Sequence, residues 1–185
     1  MSEESLVSEE QQEHASQECR ELPCRDELTN LYSRRYFQEY LETELTRSRR
    51  YHHALSLCFI EVDYMKHYNS THGHAEGDDL LRFMADLLKT SIRASDLTCR
   101  YGDDEFVLVL PETPRKGAVT VAEKMRKTVE VYPFEGRDTQ PSGTVTVSVG
   151  LACYPDDSLK AGELIDNGQK ALSEAKRKGG NKIWF

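Results

Sequence analysis

The chain has 185 residues, 38% of them apolar, and a net charge of −8. That length suits one domain with an extension, and the apolar share can supply a single core. The acidic balance speaks against nonspecific binding to a nucleic-acid polymer or an anionic membrane, and no apolar run approaches the roughly 18 residues of a spanning helix.

Residues 1–25 read as an acidic lead-in or stalk. Seven glutamates and one arginine fall within the first 22 positions, with few large apolar residues, so this stretch is expected to be solvated or partly helical. No secretory signal is visible. The five cysteines (Cys19, Cys24, Cys58, Cys99, Cys153) are odd in number and contain no C-x-x-C. They fit reduced thiols in the cytoplasm better than a disulfide framework. The domain proper is expected over 26–185.

From 34 to 49 the chain reads as a helix rich in Glu and Arg. The run from Ala54 is almost wholly apolar until Glu61 and Asp63, which predicts a buried strand over 54–62 that ends in carboxylates. Lys66, His67 and Asn69 follow. His67, His72 and His74 lack the cysteine pair or H-E-x-x-H that a zinc site brings with it. Leu80, Leu81, Met84, Leu87, Leu88 and Ile92 recur at helical spacing and predict an amphipathic helix over 77–92. Asp78 stands where it could cap that helix.

A hairpin is predicted next, with strands over 97–101 and 105–110. Its tip holds Gly102, Asp103, Asp104 and Glu105 at the head of the apolar run Phe106–Leu110. Ala118, Val121, Ala122, Met125 and Val129 mark another helix. Val145, Val147, Val149 and Leu151 alternate with Thr144, Thr146, Ser148 and Gly150, which predicts a half-buried strand. Residues 161–178 read as the last helix, and Ile183–Phe185 as a short edge strand. There is no internal repeat. Helices and strands alternate around one antiparallel hairpin, which suits an α/β fold with helices flanking a central sheet.

Two strands that each end in carboxylates can form one oxygen-rich site. Mg²⁺ favours such a site, with one or two carboxylates, waters and substrate phosphates. Phosphoryl and nucleotidyl transfer are commonly built this way.

Six blocks, in order, resemble the motifs of one family. Gly102-Asp103-Asp104-Glu105-Phe106 is similar to the GGDEF motif of diguanylate cyclases, with Asp103 in place of the second glycine. Asp26 to Phe37 resembles D-x-L-T-x-L-x-x-R-R-x-F, and Glu61 to Asn69 resembles D-x-D-x-F-K-x-x-N. Gly73 to Asp78 matches G-H-x-x-G-D. Val147 to Ala152 resembles S-x-G-x-A, and Ala175-Lys176 with Gly179 and Asn181 resembles A-K-x-x-G-R-N. The resemblance covers about residues 26–185. It implies a palm-like, ferredoxin-related fold with a mostly antiparallel sheet. It also implies condensation of two GTP molecules into cyclic di-GMP across a homodimer, with Mg²⁺ or Mn²⁺ as cofactor and an upstream sensor as input.

The resemblance also assigns roles. Glu61, Asp104 and the Val62 carbonyl would hold the metal, with Glu61 where the family usually has Asp. Glu105 would assist deprotonation of the 3′-hydroxyl, which requires hydrogen-bond reach. Lys66 and Lys176 would hold the triphosphate as point charges. Asn69 and Asp78 would read guanine, whose paired N–H donors a carboxylate can accept. Gly73, His74, Gly77, Gly102 and Asp103 would shape the nucleotide loop. Arg93 and Asp96 match the R-x-x-D inhibitory site that binds cyclic di-GMP, where Arg grips phosphate or guanine bidentately.

Three positions depart from the pattern. Asp103 adds a charge that would face a triphosphate. Gly180 stands where the family has a phosphate-binding arginine, for which Arg177 or Lys178 are the candidate substitutes. Ser173 replaces a frequent tyrosine. These departures leave two functions open: a cyclase under product control, or a degenerate domain that only binds cyclic di-GMP or GTP.

Overall fold

The computed structural model describes residues 24–185. In chain order the elements are β1 (Tyr32–Ser33), α1 (Arg34–Tyr51), β2 (Leu55–Val62), α2 (Met65–His72), α3 (His74–Ser91), β3 (Leu97–Arg100), β4 (Glu105–Pro111), α4 (Arg115–Val131), β5 (Val147–Tyr154), α5 (Ala161–Arg177) and β6 (Ile183–Trp184). No helix among the described residues is long and apolar enough to cross a membrane.

The strands form one sheet in the order β1-β3-β4-β2-β5-β6. β2 lies at its centre and pairs antiparallel with both β4 and β5. β3 pairs antiparallel with β4, and only the two-residue strands β1 and β6 run parallel to their neighbours. The predicted mixed fold, mostly antiparallel and flanked by helices, is the observed one.

The apolar runs explain why the sheet is covered on both sides. Side chains alternate along a strand, and here both sets are apolar. Cys58, Ile60, Val62, Phe106, Leu108 and Leu110 meet α2, α3 and α4. Leu55, Leu57, Phe59, Val107 and Val109 meet Phe37, Leu41 and Leu45 of α1 and Leu164 and Leu172 of α5. Phe37, Phe59 and Tyr101 pack edge to face, with centroids 5.2–6.2 Å apart. α5 lies close against β5: a Cβ on Gly150 would come within 2.2 Å of the Gly168 carbonyl and the Leu172 amide. The lack of a side chain at 150 therefore fixes where the end of α5, and hence Lys176, is held.

Three sequence expectations change. The helix predicted over 77–92 begins at His74, with Gly73 as its N-cap, so Asp78 lies inside the helix and does not cap it. A separate short helix, α2, occupies the stretch after β2. β5 is buried along its whole length rather than on one face. Ser148 of β5 and Thr146 just before it are buried, and both donate to Asp63, Ser148 Oγ at 2.7 Å and Thr146 Oγ1 at 2.8 Å.

Candidate active site at the strand ends

β2 and β4 run antiparallel, so the end of one meets the start of the other, and Glu61 pairs with Glu105 across the ladder. Directly opposed residues point to the same face, so two carboxylates share the edge of the α5 side. Glu105 lies partly sheltered, and one of its oxygens is buried with no hydrogen-bond partner. Burial first, and then the charge of Glu61, pushes its carboxyl up to about 7. Desolvation disfavours the charged form, and a like charge adds to that.

Asp104 precedes Glu105 and turns to the other side. Burial raises its pKa, and the nearby Lys176 ammonium works against the shift. Lys176, from the last turn of α5, makes an ion pair with Glu61. Glu61, Val62, Lys66, Asp104 and Lys176 line one recess. Lys66 and Asp104 also line a second, together with Asn69, His74 and Asp103. The sequence-predicted carboxylates and lysines are thus brought together from four elements: β2, α2, the β3–β4 turn and α5.

No group of three or more His, Cys, Asp or Glu side chains that could hold a metal ion lies among the described residues, so a divalent cation would draw on two carboxylates, a backbone carbonyl and substrate or water oxygens. Glu61 and Asp104 supply hard oxygens from adjacent strand ends, and an ammonium already sits against Glu61 as a positive charge does in such a place. Asn69 lines the second recess. Its Oδ1 is buried without a partner, and a Cβ on Gly77 would stand 1.8 Å from it. Gly77 therefore makes room for Asn69. Asp78 is half-buried four residues after His74, and its charge bears on Arg100; it is not among the residues lining the recess.

Asp63 is the residue whose part the sequence reading missed. It is 4% exposed and, besides the two hydroxyls, accepts from the Asn181 backbone N–H at 2.8 Å. A buried carboxylate with three donors is a structural anchor. It ties the 179–181 turn to the end of β2, beside the recess. The clue in the sequence was an acidic residue one step past a strand, with two hydroxyl residues on a later strand.

The departures from the family pattern have physical outcomes here. Neither Gly102 nor Asp103 adopts a positive φ, so the tip does not need glycine at 103. Arg100 holds the turn by donating to the Gly102 carbonyl at 2.5 Å and to the Asp103 carbonyl. Gly180 has φ +70°, and a Cβ there would meet the Asp63 carboxylate at 3.1 Å, so a side chain would be strained. Of the two candidate substitutes, Arg177 pairs with Glu174 at 2.8 Å and borders the recess of Glu61 and Glu105, while Lys178 lies 4.4 Å over the Trp184 ring. Ser173 stands exposed beside Glu61 and Glu105. His67 and His72 both contact Thr139, at 3.1 and 2.8 Å, while His74 faces the recess.

Arg93 and Asp96 lie in a pocket at the other end of β3, shared with Arg25, Tyr32, Lys89 and Thr98. Asp96 accepts from the Arg93 backbone N–H at 2.9 Å and from Ser95 Oγ at 3.3 Å, so its carboxylate also shapes its own loop.

The family model described as "Diguanylate cyclase, GGDEF domain" matches residues 24–182. The response regulator PleD of Caulobacter vibrioides is 33% identical over 88% of the chain and 36% of its own length. Diguanylate cyclase A of Treponema denticola is 34% identical over 88% of the chain and 44% of its own length. The chain therefore spans less than half of either relative. Among solved structures, the GGDEF domain of DgcB from Caulobacter crescentus in complex with c-di-GMP superposes with a TM-score of 0.79 at 27% identity, covering 88% of this chain and 95% of that one. The chain belongs to the GGDEF-domain family of diguanylate cyclases.

Proposed function

We propose that the domain at 26–185 condenses two GTP molecules into cyclic di-GMP. The observation that carries this reading is Glu105: partly sheltered, opposite Glu61 in the recess the two share with Lys176, raised to about 7, and with one buried oxygen unpartnered. A general base works best with a pKa near the working pH. Each protomer of a homodimer would hold one GTP. Glu105 takes the proton of one 3′-hydroxyl, and that oxygen attacks the α-phosphorus of the other GTP. A P–O bond forms there as the bond to the β-phosphate oxygen breaks, and pyrophosphate leaves. The same step repeated closes the ring.

Glu61, Asp104 and the Val62 carbonyl would hold Mg²⁺ or Mn²⁺, which when bound offsets charge on the phosphate oxygens. Lys66 and Lys176 hold the triphosphate. Asn69 and Asp78 orient guanine, and His74, Gly102 and Asp103 border it. The chemistry belongs in the cytoplasm, where GTP is available, with an upstream sensor as input.

The second reading, a cyclic di-GMP sensor, is favoured by the Arg93–Asp96 pocket, which also fits product inhibition of a working cyclase. The deciding experiment is incubation of the purified protein with GTP and Mg²⁺ against a Glu105→Ala control. Cyclic di-GMP from the parent, lowered about 10²–10⁴-fold in the variant, supports the cyclase. No product, even at protein concentrations that favour dimers, leaves the sensor reading in its place.

A further inference from the structure

The Arg93–Asp96 pocket has a wall that the R-x-x-D pattern does not contain. Arg25 and Tyr32 form it, and both lie in the first turn of the domain. The Arg25 guanidinium stands 4.4 Å over the Tyr32 ring and donates to the Asn30 carbonyl at 2.7 Å. Tyr32 in turn stacks on Tyr36, with centroids 4.3 Å apart. The turn is closed by backbone bonds from Asp26 N to Leu31 O at 2.8 Å and from Ser33 N to Cys24 O at 2.9 Å.

Three further facts mark this pocket as built for an anionic, ring-bearing ligand. Arg25, Lys89 and Arg93 place three cations around it in a chain of net charge −8. None of the three has a carboxylate partner among the described residues, and the one acid present, Asp96, has its oxygens engaged within its own loop. Thr98 is 5% exposed, lines the pocket, and its hydroxyl has no hydrogen-bond partner among the described residues.

We infer that the Arg25–Tyr32 turn is a working wall of this pocket: a bound cyclic dinucleotide closes against Arg25 and the Tyr32 ring, so occupancy pins the point where the chain enters the domain. The inference rests on the reading of Arg93 and Asp96 as a cyclic di-GMP site and extends it to its regulation. A guanidinium on a phosphate adds charge-assisted hydrogen bonds, and the Tyr32 ring, stacked on Tyr36 on its other face, holds that guanidinium in place. A phosphate gripped by Arg25 would order the turn that precedes β1.

The test is titration calorimetry of the full chain with cyclic di-GMP, for the parent, Arg25→Ala, Tyr32→Leu and Arg93→Ala, with amide hydrogen exchange over residues 24–33. About tenfold weaker binding is expected for Arg25→Ala and for Tyr32→Leu. In the parent, ligand should slow exchange at Asp26, Asn30 and Ser33, and this slowing should vanish in Arg93→Ala. Binding that Arg93→Ala abolishes but the other two variants leave intact, with exchange altered only over 93–98, would overturn the wall and keep the site. No binding by the parent would overturn both. Should Arg25→Ala fold poorly, the exchange response of the parent alone decides, since a turn outside the site gains no protection.

Discussion

The two candidate sites lie at opposite ends of the four-residue strand β3, yet they are built on opposite principles. One gathers carboxylates, Glu61, Asp104 and Glu105, at the ends of central strands, where burial and mutual repulsion raise the pKa of Glu105 and Asp104. The other gathers Arg25 and Arg93 from exposed turns and Lys89 from the last turn of α3, beside the sheet's edge. The first holds like charges together on a rigid frame, which favours a cation and chemistry. The second sets three cations around a single acid, Asp96, which favours an anion. Five residues lie between Asp96 and Gly102, and the six steps span about 20 Å if extended, so the sites are close without overlapping.

The comparison breaks most visibly at Asp104. Asp104→Asn keeps the size and removes one charge from the strand-end site. If the carboxylates hold the metal, cyclic di-GMP synthesis falls by about 10²-fold or more, in line with losing one charge-stabilising group. Binding of cyclic di-GMP at the basic pocket should stay within twofold. Synthesis that survives would remove Asp104 from the metal site, and loss of both properties would show that the two ends of β3 do not act independently.

The pH dependence sharpens the contrast. Glu105 must be ionised to accept a proton, so synthesis should rise with pH and level off above about 7. The stability consequence has the opposite sign. The folded pKa lies above the ordinary 4.5, so the native state holds the proton more tightly. Stability therefore declines as pH rises from about 4.5 through 7. Glu105→Gln should melt higher than the parent at pH 8 and match it near pH 4, as thermal scans would show. An equal difference at both pH values would mean that packing, not charge, sets the effect.

How much of this was legible in the sequence follows the same division. The strand-end site was legible because long apolar runs ending in acids have one physical meaning, and the elements that carry them, β2 and β4, sit centrally. The helix α2 was not: only Met65 and Tyr68 of its eight residues are buried, too few for a periodic signal. The alternation of β5 misled for a specific reason. Thr146 and Ser148 look solvent-facing until Asp63, more than 80 residues away, is seen to accept from both. The basic pocket was half legible. R-x-x-D gave Arg93 and Asp96, with Lys89 and Thr98 close by in sequence, but Arg25 and Tyr32 meet them only through the pairing of β1 with β3, and no local pattern encodes that pairing.

The smallest expected effect concerns the residue that set this chain apart at the outset. Asp103 makes no side-chain contact that the turn depends on: Arg100 grips the carbonyls of residues 102 and 103, and Tyr101 N and Gly102 N both bond to the Glu105 carbonyl, at 2.8 and 3.0 Å. Its backbone has no positive φ. Its influence is therefore electrostatic. It lies beside Lys66 and Asp104 in the recess, and its charge adds to the upward shift at Asp104. Asp103→Gly removes a negative charge from the path of a triphosphate. The expected result is a KM for GTP lower by about three- to tenfold, consistent with one unit charge screened near a protein surface, with kcat changed less. Stability should drop by no more than about 1 kcal/mol, the ordinary entropic cost of a glycine. Because the effect is one of charge, Asp103→Asn should reproduce the gain in KM without the loss in stability. A gain seen with Gly alone would instead place the cause in the backbone of the tip, and the strand-end site would then owe its tuning to turn geometry rather than to the charge gathered there.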